Sequence, residues 1–104
     1  MTFSVNSIMT KICRTMTETR IGYISLEENG LLGGHEAIVP QLLVVMSGEG
    51  TVSNDSESLI ITEGDAVFWD RGEQHETSSV KGMTAIIIES DSLQPYDLIK
   101  KELL

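Results

Sequence analysis

Gln41-Leu42-Leu43-Val44-Val45-Met46, then Ser47-Gly48-Glu49-Gly50, then Thr51-Val52-Ser53, is the stretch whose reading decides the fold. Residues 41–46 make a strand-length run that is apolar on both faces, so it belongs between two packed layers and not on an open surface. Ser47–Gly50 reads as a turn and Thr51–Ser53 as a short strand after it. Upstream, Ile21, Tyr23 and Ser25 alternate with Gly22, Ile24 and Leu26, and Glu28-Asn29-Gly30 marks a turn. Gly33-Gly34 opens a second piece that Pro40 breaks. Downstream, Asn54-Asp55 turns the chain, Leu59–Ile61 follows, and Glu63-Gly64-Asp65 turns it again. Ala66–Trp69 is a strand, Arg71–Gln74 a loop and His75–Val80 a strand, before Lys81-Gly82 leads into Thr84–Glu89. Short strands at close intervals with glycine punctuation predict an all-β sandwich or barrel, and the lack of βαβ alternation argues against a parallel sheet.

Both ends differ from this centre. Tyr96, Ile99 and Leu103 fall at helical spacing behind Ser92, which predicts a short C-terminal helix over Ser92–Leu104. Met1 to about Thr19 has weak periodicity, and strand, helix and partner-binding arm stay open there.

The chain has 104 residues and reads as one domain over its whole length, 1–104. Its formal net charge of −9, from 16 acidic against 7 basic residues, argues against nucleic acid, whose binders gain affinity from Lys and Arg at phosphates. The same charge disfavours anionic membrane surfaces. No apolar run approaches a membrane span, and the start has no signal-peptide pattern, so a cytoplasmic location is expected. Cys13 is the only cysteine, which excludes an internal disulfide and reads as a bystander thiol.

Residues 34–89 resemble the two motifs of the cupin superfamily. In the second motif, about 64–79, Gly64, Asp70, Gly72 and His75 stand at the pattern's positions, with Asp70 in place of Pro and Ser79 in place of a later Asn. In the first, about 34–50, His35, Ala37, Gln41 and Gly48 occupy the places of His, His, Glu and Gly. The wording is similar to a group of short single-domain cupins in which a His precedes Val-Pro-Gln-Leu and Gly-Glu-x-His-Glu ends the second motif. The resemblance implies a single-domain antiparallel β-barrel, or jelly roll. It implies no one reaction, since the superfamily spans dioxygenases, isomerases, epimerases, storage proteins and sensors.

In metal-binding members of that family, three His and one Glu hold a divalent ion inside the barrel. Of that set this chain keeps His35 and His75, and has Gln41 for the Glu and Ala37 for the middle His. On one straight strand residues 35 and 41 would lie about 20 Å apart, so they converge only if the chain bends, and Pro40 is the natural bend. His35, Gln41 and His75 would suit zinc, manganese, iron or nickel, with open positions for water or a ligand. Three neutral ligands lack the carboxylate, for which Glu73 in the loop is the better reserve and Glu76 has the wrong parity. The other candidate proton-transfer groups are Asp70 and Tyr23.

Three readings stay open: a metal-dependent barrel acting on or binding a small organic molecule, as a dioxygenase or isomerase if it is an enzyme; a metal-free or metal-optional ligand-binding or sensor module; and, last, a purely structural dimer module. In all three a homodimer is expected, because a small chain has sheet edges to cover. Phe68 and Trp69 should face opposite ways, one into the barrel. Met46 and Met83 are read as core, and Arg71 as one half of a surface ion pair.

Overall fold

Alternation along each strand sets the architecture of the computed structural model, which describes residues 10–96, with backbone alone at 33–36. Nine strands follow in order: β1 (Cys13–Arg14), β2 (Arg20–Leu26), β3 (Gly30–Glu36), β4 (Gln41–Ser53), β5 (Ser58–Thr62), β6 (Ala66–Trp69), β7 (Gln74–Ser79), β8 (Met83–Glu89) and β9 (Gln94–Pro95). All pairings are antiparallel. Seven strands run β2-β8-β4-β7-β3, with β5 and β6 also on β4, and they curl into a barrel; β1 and β9 form a separate two-stranded ribbon.

β4 organises the whole. Its first part, Gln41–Gly48, pairs with β8 and β6, while Glu49–Ser53 pairs with β5 and β7. The turn expected at Ser47–Gly50 is therefore a bend inside one strand of 13 residues. The register against β8 shifts between Val45 and Ser47, which leaves Met46 as the extra residue of a bulge. Met46 is accordingly 51% exposed and not core, whereas Met83 is buried as read from the sequence. At the bend Gly48 takes a φ of 83°, and a Cβ there would lie 2.3 Å from the Gly82 carbonyl oxygen. Only glycine meets both conditions.

The bend gives two apolar layers. Leu43, Val45, Val52, Ile61, Val67, Trp69, Met83 and Ala85 fill the inside of the barrel. Leu42, Val44, Ala66 and Ile88 face outward and are covered by Leu93 and Cys13 of the ribbon side. Phe68 packs on that outer layer and Trp69 on the inner one, the opposed placement that alternation requires.

The predicted C-terminal helix is absent over 92–96. Gln94 and Pro95 instead pair with Arg14 and Cys13, and the Ser92 hydroxyl accepts from the backbone N–H groups of Met16 and Thr17. Over 92–96 the tertiary contacts decide the conformation, since a helix this short gains little stability from its own hydrogen bonds. The rest of that expectation, 97–104, and residues 1–9 lie outside the described residues. Among the described residues no helix is long and apolar enough to cross a membrane.

Candidate functional site

One row of register positions crosses the barrel near one end. Arg20 of β2 is opposite Glu89 of β8, Glu89 is opposite Gln41 of β4, and Gln41 is opposite Trp69 of β6. Gln41 has the parity of Leu43 and Val45, and Glu89 that of Met83, Ala85 and Ile87, so both belong to the inner face. The row then passes to the other wall: the Trp69 ring stacks on the His75 imidazole, centroids 3.9 Å apart and planes at 14°. On β7, His75 is in turn the register partner of residue 35 on β3.

Of the three residues chosen from the sequence, Gln41 and His75 are therefore buried in one inner row, and the backbone at His35 lies opposite His75. β3 ends at Glu36 and β4 begins at Gln41, so the required bend falls on 37–40 with Pro40 at its end. Ala37 is buried, and its N–H donates to the Glu73 carbonyl at 3.0 Å while its own carbonyl accepts from the Gly72 N–H at 2.8 Å. Those two bonds clamp the 70–73 turn against the bend.

The inner row carries polar atoms without partners. Gln41 Nε2 donates to Glu89 Oε2 at 3.0 Å. A carboxylate only accepts, so the amide nitrogen must face it and Oε1 must point the other way. Gln41 Oε1, Trp69 Nε1 and Thr77 Oγ1 are buried with no hydrogen-bond partner among the described residues. Ser79, two residues beyond Thr77 on the same face, is the opposite case: its hydroxyl donates to the Glu49 carbonyl at 2.5 Å and accepts from the Gly82 N–H at 2.9 Å.

The carboxylates expected from the sequence do not join the row. Glu73 is exposed and accepts from the Asp70 N–H at 2.9 Å, while Asp70 accepts from the Arg71 N–H at 2.8 Å, so both stabilise the turn. Glu76 is half-buried beside an open cavity of about 280 Å³ that Asp55 and Gln74 also line. Tyr23 is 65% exposed on the outer face of β2. The inner carboxylate is Glu89, which sequence reasoning passed over although the alternation Met83, Ala85, Ile87, Glu89 places it inside. Glu89 also lines a small cavity of about 80 Å³ at the barrel end, with Arg20, Val39 and Ser90. It thus links the buried Gln41 to solvent. No group of three or more His, Cys, Asp or Glu side chains able to hold a metal ion occurs among the described residues. Arg71 pairs with Asp91, both exposed. Burial pushes the Cys13 thiol up from its ordinary value, which keeps it protonated and unreactive at neutral pH.

Comparison with known proteins places the fold. A family model described as a cupin domain matches residues 25–89. No curated protein matches the chain. Among solved structures it is similar to a conserved protein of unknown function from Streptococcus pyogenes, at 20% identity over 75% of this chain and 71% of that one, with a TM-score of 0.65. It is also similar to an RmlC-like cupin from Shewanella frigidimarina, at 23% identity over 72% of this chain and 68% of that one, TM-score 0.67. A cupin superfamily protein from Desulfitobacterium hafniense aligns at 11% identity over 82% of each chain, TM-score 0.66. At these identities the likeness is one of fold.

Proposed function

This chain belongs to the cupin domain family, and from that premise we propose that it binds a small polar molecule at the inner row of its barrel, anchored by a divalent ion at His35, Gln41 and His75. The observation that carries the reading is Gln41 Oε1, an acceptor in a residue only 7% exposed, turned away from Glu89 and without a donor among the described residues. Leaving such a group unpaired costs about 1–3 kcal/mol, which a bound cation or donor removes. Amide oxygen and imidazole nitrogen are donor types that suit zinc, manganese, iron or nickel, so the residue types fit the group. When bound, such an ion polarises a ligand oxygen as a Lewis acid. Elemental mass spectrometry on untagged protein purified without chelator tests this, beside a His35→Ala/His75→Ala double variant. The expected result is near-stoichiometric metal lost in the variant. Wild-type protein that is metal-free and takes up none of the four added ions retires the metal.

A second reading, binding without metal, is favoured by Trp69 Nε1. An indole N–H only donates and ligates no metal, so its natural partner is an acceptor on an organic molecule. Native mass spectrometry of the chelator-treated protein separates the two readings: a retained small molecule supports the second, and its loss together with the metal supports the first.

We further propose a homodimer in which β2 is covered, since Ile21 and Tyr23 stand 69% and 65% exposed on its outer face. Size-exclusion chromatography with light scattering at micromolar concentration should give twice the chain mass, and a clean monomer would end this proposal.

A further inference from the structure

We propose that Glu89 is the positioning residue of the barrel site, setting the Gln41 amide so that its oxygen faces whatever binds there. The proposal deepens the reading above and rests on it for the occupant, although the positioning itself needs none. The terminal torsion of a Gln side chain is broad and nearly two-fold, so an isolated amide has little preference for either orientation. Here the 3.0 Å contact from Nε2 to Glu89 Oε2 removes that freedom, because a flipped amide would set two acceptors against each other.

The surroundings favour this role over a plain structural bond. Gln41 and Glu89 are register partners on adjacent strands, so their separation is set by the ladder and not by flexible loops. The oxygen that the bond turns inward has no partner among the described residues, so the arrangement spends a buried acceptor to satisfy a donor. Glu89 is half-buried and borders the small cavity at the barrel end, so its carboxylate reaches both the buried amide and the surface. The site so built selects a cation or a hydrogen-bond donor at the Gln41 position and rejects an anion or a pure acceptor.

The test reads the Gln41 side-chain amide directly, in ¹⁵N-labelled protein at one fixed pH, with Gln41→Leu to assign the signal. Wild-type protein should give one sharp amide pair, one proton shifted downfield and exchanging slowly with solvent. Glu89→Ala should bring the pair to the values of a free Gln and speed its exchange at least about tenfold, with backbone resonances elsewhere unchanged. Should that variant fail to fold, Glu89→Gln removes the charge with the shape kept; it should retain the fold and show two amide populations, because its own amide offers both an acceptor and a donor. An amide pair identical in wild type and in the folded Glu89 variant overturns the proposal. Zinc alone is then titrated against a competing chelator: affinity should fall about 10–100-fold in the variant, the range for groups that orient a metal ligand. Equal zinc affinity in the two proteins also overturns it. Wild-type protein that takes up no zinc retires the occupant while the amide signature still decides the positioning.

Discussion

Thr77 and Ser79 are two residues apart on the inner face of β7, and the barrel treats them in opposite ways. Ser79 is fully paired: its hydroxyl joins the Glu49 carbonyl to the Gly82 N–H, beside the bend where Gly48 passes under Gly82. Around Thr77, towards His75, Trp69 and Gln41, three buried polar atoms lack partners among the described residues. One end of the inner face is finished for stability and the other carries an unmet hydrogen-bonding capacity. A binding site in a small barrel is legible as the place where its own folding would be better served by different residues.

The largest effect that can break this comparison is expected at the finished end. Gly48→Ala puts a methyl 2.3 Å from a backbone oxygen at a φ of 83°, and neither neighbour is a side chain free to move. A loss of about 3–5 kcal/mol is expected in urea unfolding, from strain and overpacking together. A loss below about 1 kcal/mol would mean the bend is adaptable. Ser79→Ala comes next: it strips a carbonyl and an N–H of their bridge and should cost about 1–3 kcal/mol. Thr77→Val sharpens the contrast because it changes the same face by the same kind of step. Removing an unpartnered buried hydroxyl at constant shape should leave stability within about 1 kcal/mol of wild type, or raise it, while weakening ligand retention in native mass spectrometry. A loss as large as that of Ser79→Ala would place Thr77 in the finished end after all. Arg71→Ala sets the floor: both members of its pair with Asp91 are well exposed, so thermal unfolding should move by the equivalent of no more than about 0.5 kcal/mol.

The strands were legible where alternation and glycine agree, as at Arg20–Leu26, Ala66–Trp69 and the turn at Gly64. Ser47–Gly50 was read as a turn because a bulge and a turn draw on the same small residues. What separates them is whether neighbours pair through the segment, and one of those neighbours, β8, is distant in sequence. Met46 followed from the same error, since the extra residue of a bulge leaves the alternation that would have buried it. Over 92–96 the expected helix gives way to a ribbon with Cys13 and Arg14, a partner some 80 residues away that helical spacing cannot reveal. At the site, the family resemblance supplied Gln41 and His75. Glu89 was within reach of simple parity along β8 but lies at the strand end, outside the motif. That Gln41 Oε1 finds no donor among the described residues could not be read at all, because it depends on which way Glu89 turns the amide.

The pairing scheme around β4 governs how this molecule can come into being. β1 pairs with β9, β2 with β8, β3 with β7, and β4 with β5, β6, β7 and β8, so every pairing joins a segment before residue 54 to one after residue 57. Among the described residues neither half holds a ladder of its own. A nascent chain must therefore keep Leu42–Val45 unpaired until β6 has been synthesised, and one edge of it bare until β8 follows, which slows folding and leaves a sticky apolar strand in the open meanwhile. The same scheme makes the Asn54–Glu57 hairpin the natural place to cut the protein into two complementary fragments, each unstructured alone and each the template for the other.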